Sequence, residues 1–360
     1  MKDNSWNDEE LELLETYYGT MSNDELKIQF QLQGYLRSAN AIRKKARKLG
    51  LSFDFTRQQI GEKECTSEQA EAWQKIVDLK KDYMEDFSYS TVGLIPSNKI
   101  ARKILCISDF HIPFDREDLI MEIINQHQDA DILVVNGDIM DLHAVSTWPK
   151  ERDIVLKKEY DIAMEYMKVF SKKFPQVVVT RGNHEVRLSR YFNSCISGSV
   201  SFLVNKDILS RLCSGEVYNH NGEIIKTYDF DNIHYEGGLE GWFVKIGKTI
   251  FAHPKEVSKV EAKTVMLGNI YFMEREDIDC IVIGHTHNQA FVPSRNKLCI
   301  ESGCLCCPMD YEKQGTFKYH AMTLGYTVLY QDKEGNCDFN RSRNVYLGTQ
   351  YPITKNFLQG

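Results

Sequence analysis

The sequence predicts a mixed α/β chain of the α+β kind: a two-sheet sandwich flanked by helices, with a small trihelical unit ahead of it. Three observations lead there. Strand-like and helix-like runs alternate from about residue 103 to residue 185, and strand signals dominate afterwards. Five short polar motifs stand directly past the ends of apolar runs. Three helix-start signatures crowd into the first fifty residues.

The first of these starts is Trp6-Asn7-Asp8-Glu9-Glu10-Leu11, with Asn7 placed as N-cap, Glu10 at N3, and Trp6 and Leu11 spaced as a hydrophobic staple. The second is the Ser22-x-x-Glu25 capping box before Leu26, Ile28 and Phe30. The third opens at Ser38, runs over Ala39 to Leu49 and stops at Gly50, a good C′ residue. Ala41, Ile42, Ala46 and Leu49 fall at helical spacing and form its expected buried stripe.

Residues 1–52 carry eight Lys/Arg and eight Asp/Glu, so this unit is neutral, and the excess of acid (−7 overall) belongs to the rest of the chain. Within the unit the charge is segregated. Arg37, Arg43, Lys44, Lys45, Arg47 and Lys48 fall in a stretch with no acidic residue. The leading Trp-x-x-x-Glu and the closing Ala-Ile-Arg-Lys-Lys-Ala-Arg-Lys-Leu-Gly-Leu resemble Myb-like or homeodomain-like helix-turn-helix units, of the kind found as heads on phage and bacterial proteins. That resemblance implies DNA as a partner and those six basic residues as its contacts, with the third helix entering the major groove. A basic helix facing solvent in a protein-docking module would show the same pattern.

Residues 53–66 are polar and lack periodicity, as a linker would be. Ala70–Phe87 places Trp73, Ile76, Val77, Leu79 and Tyr83 among charges, which predicts one helix packing on the following region or on a partner. Residues 88–99 read as a loop. The expected boundaries are therefore 1–52, 53–99 and 100–360.

In the last region helices are expected over Glu117–His127 and Asp153–Phe170. Strands are expected at Phe243–Ile246, Thr249–Ala252, Cys280–Ile283, Lys297–Glu301 and Thr323–Tyr330, with helical material between Val186 and Tyr235. The polar motifs are Asp109-Phe110-His111, Gly137-Asp138-Ile139-Met140-Asp141, Gly182-Asn183-His184-Glu185, Phe251-Ala252-His253-Pro254 and Gly284-His285-Thr286-His287. They follow the apolar runs Ile104–Ile107, Ile132–Val135, Val177–Val179, Lys248–Phe251 and Cys280–Ile283. Uncompensated polar groups beside buried strands are costly. Oxygen and nitrogen donors gathered on five loops suit divalent cations. Each motif alone has a plainer explanation: a turn residue beside glycine for Asp138 and Asn183, a backbone-bonded histidine for His253.

Together and in this order the five motifs resemble the calcineurin-like metallophosphoesterases over about residues 103 to 305. By that resemblance Asp109, His111 and His287 hold one metal, Asn183, His253 and His285 hold a second, and Asp138 bridges them. His184 faces the scissile phosphate and Asp141 orients it, keeping it protonated. Two cations roughly 3.5–4 Å apart clamp the attacking and leaving oxygens of an in-line displacement. The mixed imidazole and carboxylate set favours Mn²⁺ first, with Fe or Zn²⁺ as alternatives, over Mg²⁺. Arg187 and Arg190, at i, i+3 spacing past His184, are candidates for the substrate phosphates or for surface ion pairs.

Subfamily patterns are not all met. Phosphoprotein phosphatases follow the second motif with Arg-Gly, where this chain has Leu142-His143. Repair nucleases end their second and third motifs in His and Asp, where Asp141 and Glu185 stand. The expected activity is hydrolysis of phosphodiester bonds, in DNA if the head docks there and in small nucleotides if it serves recruitment. A DNA-binding regulator with a lapsed metal fold is the third option, and the full ligand set argues against it.

The hydrophobic fraction of 42% and charged fraction of 26% suit a globular protein. No stretch approaches the roughly 18 apolar residues of a membrane span. The start, Met1-Lys2-Asp3-Asn4-Ser5-Trp6, has no apolar signal core, and ten cysteines then imply a reducing, cytoplasmic setting with free thiols. The cluster Cys304-Leu305-Cys306-Cys307 is too tightly spaced for a metal site and lacks a second pair, so its cysteines are expected as small buried thiols.

Overall fold

Alternation along two strands sorts the core into layers. In β1 (Ile100–Ile107) the side chains of Ile104 and Cys106 join Phe251, Val282 and Ile300 in one cluster. Leu105 and Ile107 turn the other way, toward Ile120, Ile123 and Phe170. The same split occurs in β2 (Ile132–Asn136), where Ile132 and Val134 face inward and Leu133 and Val135 face the helices. Two-residue periodicity thus builds an inner layer between sheets and an outer layer under helices.

The computed structural model describes residues 6–18, 23–49, 51, 67–80, 95–148, 150, 152–196, 207–238, 240–313 and 321–350. The chain divides into two units, Met1–Ser90 and Thr91–Gly360.

In the second unit, β1 and β2 continue into β3 (Gln176–Thr180) and β6 (Ile233–Tyr235), all parallel. The antiparallel β12 (Met322–Asp332) and β13 (Arg343–Gln350) complete a six-stranded sheet of order β13-β12-β1-β2-β3-β6. The second sheet is built from β7 (Phe243–Ile246), β8 (Thr249–Ala252), β9 (Cys280–Ile283), β10 (Gln289–Ser294) and β11 (Lys297–Ser302). Its order is β10-β11-β9-β8-β7. Helices α5 (Glu117–Gln126) and α6 (Leu156–Lys173) cover the outer face of the first sheet, and α9 (Lys263–Met273) that of the second. The expected sandwich and its strands from Phe243 onward are present. Between Val186 and Tyr235 the expectation was too simple. Helices α7 (Val186–Cys195) and α8 (Ile208–Cys213) are followed by the hairpin β4 (Glu216–Tyr218) and β5 (Ile224–Thr227). Among the described residues no helix is long and apolar enough to cross a membrane.

Among the described residues the first unit contains three short helices, α1 (Asp8–Tyr17), α2 (Asn23–Leu32) and α3 (Ala39–Lys48), and a longer one, α4 (Ser67–Lys80). Asn7 and Glu10 close the expected capping box on α1, and Ser38 Oγ accepts from the Ala41 N–H at the start of α3. Ser22 and Gly50, the other expected cap residues, lie outside the described residues, as does the end of the helix expected to reach Phe87. Leu14, Leu26, Phe30, Ile42 and Ala46 form the core, and the Trp6 ring meets Phe30 edge-on at 5.7 Å.

Two expectations fail here. Leu49 lies past the end of α3 and is 38% exposed; Leu51 packs on the core instead. Arg37 is not a surface cation awaiting phosphate. Its guanidinium makes a two-pronged ion pair with Glu10, at 2.6 and 2.8 Å, and lies over the Trp6 ring at 4.7 Å. The pair ties the start of α1 to the entry of α3, a structural use of an arginine. Arg43, Lys44 and Lys48 are exposed, and Lys45 is half-buried with its ammonium 6.0 Å from the Trp6 ring centroid. The Arg47 side chain lies outside the described residues.

Candidate metal centre

Strand direction brings the five motifs together. β1, β2 and β3 run parallel in one sheet, and β8 and β9 in the other. Asp109 and His111 follow β1, Asp138 follows β2, and Asn183 and His184 follow β3. His253 follows β8, and His285 and His287 follow β9. Five of these residues, Asp109, His111, Asp138, His285 and His287, have left-handed backbones with φ between 51° and 73°. That conformation costs about 1–3 kcal/mol for each residue with a side chain and persists only where surrounding contacts dictate it.

The donors fall into two groups that share Asp138. Oxygens and nitrogens of Asp109, His111 and Asp138 lie within 4.8 Å of one another, and so do those of Asp138, His253 and His285. His287 Nε2 stands 3.2 Å from Asp109 Oδ1 and 3.1 Å from His111 Nε2, which places it with the first group. Asn183 Oδ1 stands 3.3 Å from His253 Nε2, which places it with the second. The seven residues are thus brought together, at spacings compatible with the partition that the resemblance implies, although His253 Nε2 also stands 3.9 Å from Asp109 Oδ1. One detail differs. Asp138 Oδ1 accepts from the His184 N–H at 2.8 Å, so Oδ2 alone remains to face both groups. That atom is buried and accepts no hydrogen bond, although imidazole nitrogens of His253, His111 and His184 stand 3.1, 3.7 and 3.9 Å away. A carboxylate oxygen surrounded by nitrogens yet bonded to none fits a divalent cation.

A supporting layer fixes these donors, and sequence reasoning passed over most of it. Glu185, buried, accepts from the N–H groups of Asp138, Ile139, Met140 and Gly182, locking the second motif to the third. Its place at the end of Gly-Asn-His-Glu was the available signal. Asn136 donates to the Ala252 carbonyl at 3.0 Å and so joins the two sheets at the site. Its own carbonyl accepts from His253 Nδ1 at 2.7 Å, which leaves Nε2 turned to the second group. The backbone-bonded histidine and the ligand candidate are the same residue. At Gly182 an added Cβ would lie 2.0 Å from Asp138 Oδ1 and 2.3 Å from its N, so the loops meet there without room for a side chain.

His184 borders the first group, its Nδ1 3.2 Å from His111 Nδ1. Its Nδ1 lies 2.9 Å from Asp141 Oδ1, the orienting contact expected of that carboxylate. Arg187 Nη1 donates to the Asp141 carbonyl at 2.8 Å, and Nη2 stands 2.9 Å from His184 Nε2. Arg187 is therefore part of the site, whereas Arg190 is exposed on the next turn of α7 and makes none of these contacts.

Burial and pairing set the charges. Burial pushes the Asp109 and Asp138 carboxyls up, but the surrounding imidazoles outweigh it and hold both well below the usual carboxylate range. His253 rises to about 9, since Asp138 and Asp109 overcome its burial. Burial lowers His285 to about 3 and His184 to about 4. At His184, burial, His111 and the cationic Arg187 at Nε2 oppose the proton that Asp138 and Asp141 favour. Burial raises Glu185 to about 7, with Asp138 adding to the effect.

Comparison with known proteins agrees with this geometry. Residues 102–289, just over half of the chain, match the family model described as calcineurin-like phosphoesterase. The chain belongs to that family. It is a metal-dependent phosphoester hydrolase, and its seven gathered donors fit the pair of metals that this family uses. No curated protein matches the chain significantly. Similar solved structures include a Vps29 from Entamoeba histolytica, 12% identical, covering 68% of this chain and 99% of that one, with a TM-score of 0.31. Vacuolar protein sorting 29 from Cryptosporidium parvum is 14% identical over 65% and 86% of the two chains, TM-score 0.33. A protein described as a novel archaeal phosphodiesterase is 15% identical over 68% and 99%, TM-score 0.30.

Proposed function

We propose that this chain is a dimetal phosphodiesterase acting on nucleic acid, with its N-terminal unit docking on DNA. The observation that carries the catalytic half is the unbonded Asp138 Oδ2 standing between two groups of donors. In this reading Asp109, His111 and His287 would hold one cation, Asn183, His253 and His285 would hold the other, and Asp138 would be shared by both. Two cations so held supply Lewis acidity and a charge clamp for the attacking and leaving oxygens of an in-line displacement. Arg187 supplies a fixed cation for the nonbridging oxygens. His184, oriented through Nδ1 by Asp141, would present Nε2 to the leaving alkoxide once Arg187 Nη2, now 2.9 Å from that nitrogen, turns to the phosphate. Arg43, Lys44 and Lys48, exposed along α3, support the docking role, together with Lys45 and Arg47 of the same helix.

The test is a substrate panel with Mn²⁺: plasmid, single-stranded oligonucleotides, RNA, cyclic dinucleotides and an aryl phosphodiester. Turnover of DNA above the aryl ester is expected. Turnover of cyclic dinucleotides alone would overturn the DNA assignment and leave the phosphodiesterase.

One observation favours that second reading. A cavity of about 490 Å³ opens beside Asn183 and His253, walled by Trp242, Leu267, Tyr271 and Phe272 with Lys255 nearby. That size and lining suit a single nucleoside and not a duplex. Trp242→Ala would raise KM for small nucleotides if their base sits there and leave the aryl ester unchanged.

A further inference from the structure

The short Cys304-Leu305-Cys306 segment lies against the first group of donors. Cys306 is fully buried, and its Sγ lies within 4.8 Å of ring nitrogens of both His111 and His287, which are equally close to each other. A sulfur and a nitrogen bound tetrahedrally to one ion of the zinc type stand about 3.6 Å apart, given bonds of roughly 2.3 Å to sulfur and 2.1 Å to nitrogen. The trio would close by at most about 1.2 Å to reach that spacing.

The backbone makes this proximity a built feature. The Leu305 N–H donates to the Asp109 carbonyl at 3.1 Å, and the Cys307 N–H donates to the Phe114 carbonyl at 2.7 Å. Cys306, between them, pairs with Asp115. The segment is thus zipped to the same loop that carries Asp109 and His111. On its other side the thiol packs among Phe114, Met309 and Leu324, so one flank is apolar and the other faces two imidazoles.

We propose that Cys306 is a sulfur ligand of the first metal, joining His111 and His287 there. The claim rests on the two-metal reading of the site. On binding, the thiol gives up its proton to solvent and the sulfur bonds the cation as thiolate. A soft donor shifts this position toward Zn²⁺ or Fe²⁺ and away from Mn²⁺, while the second position, with only nitrogen and oxygen donors, keeps the harder preference. The two metals of the pair then differ in kind.

The full chain reconstituted with Co²⁺ tests this by absorption, without reference to turnover. The native protein is expected to show an intense near-ultraviolet sulfur-to-cobalt charge-transfer band. Cys306→Ser should lose the band and hold one of its two Zn²⁺ ions at least roughly 10–100-fold more weakly. Cys304→Ser should keep it, because Cys304 is not grouped with His111 and His287 and its thiol donates to the Thr323 carbonyl at 3.6 Å. Cadmium NMR of the native protein needs no variant, and one of two resonances is expected in the thiolate range. Two Co²⁺ bound with no band, a band that survives Cys306→Ser, or two cadmium resonances in the nitrogen and oxygen range would each overturn the proposal and leave the metal centre standing. A native chain that takes up no Co²⁺ would overturn both.

Discussion

Helix α3 and the loops around Asp138 both gather charge, under opposite constraints. On α3 the cations Arg43, Lys44 and Lys48 point to water and cost almost nothing to keep there. Around Asp138, the buried Asp109, His111 and His253 and the half-buried His285 and His287 are gathered, and all of these but His253 share with Asp138 a backbone held in the left-handed region. Charge that is expensive to bury persists only where something compensates for it, so the second pattern admits few explanations. Charge on an exposed helix is compatible with DNA, an acidic protein or water alone. The strength of a functional inference therefore follows the free-energy cost of the arrangement.

The sharpest way to break this comparison is to remove the shared oxygen. Asp138→Ala should abolish bound metal and bring turnover to background, read by metal analysis and by an aryl phosphodiester assay. Full activity, or activity that survives EDTA, would show that the buried charge serves packing. Next in size, His184→Ala should keep both ions and lose about 10²-fold or more in kcat. Wild-type turnover in that variant would remove His184 from the mechanism.

On the exposed side, Arg43→Gln, Lys44→Gln and Lys48→Gln together should weaken duplex binding, reducing the log–log salt slope by roughly 0.9 for each phosphate no longer neutralised. Hydrolysis of the aryl ester should not change. An unaltered salt slope would make the N-terminal unit a protein-docking module. Arg37→Ala separates the structural arginine from the exposed cations of that unit. It should destabilise the three helices by about 1–3 kcal/mol, seen by thermal melting, because Glu10 would be left buried without its partner.

A smaller effect concerns pH. Burial, reinforced by Asp141, raises Glu159 to about 8 from an ordinary 4.5. The unfolded chain releases this proton more readily, so the folded state loses stability as pH climbs from about 4.5 to 8. Glu159→Gln should melt higher than the native chain at pH 8.5, with the gain shrinking toward pH 5. A constant difference across that range would count against a buried, protonated Glu159.

The inner strands and all seven ligand candidates could be found in the sequence because burial on both faces gives continuous apolar runs, and polar residues just past them stand out. β10 and β13 escaped notice. Both are edge strands, with Pro293 in one and a mixed polar run in the other, and edges carry weak periodicity. Arg37 misled because its partner Glu10 lies 27 residues away, a pairing that no local pattern encodes. Cys306 was set aside on spacing alone, since sequence distance between cysteines says nothing about histidines brought in from other loops.

Gly182 carries no chemistry, yet a methyl group there would collide with the oxygen and backbone of Asp138. A saturation screen for lost activity would therefore score this position as harshly as any ligand, and the resulting set of dead variants would mix donors with space-keepers. Graded bulk separates the two classes. Asp138→Asn changes the donor at constant volume, whereas Gly182→Ala changes volume at constant donors. A chain carrying Gly182→Ala would keep every ligating residue and still behave as a lapsed enzyme, and counting ligands in a relative would then misjudge whether it works.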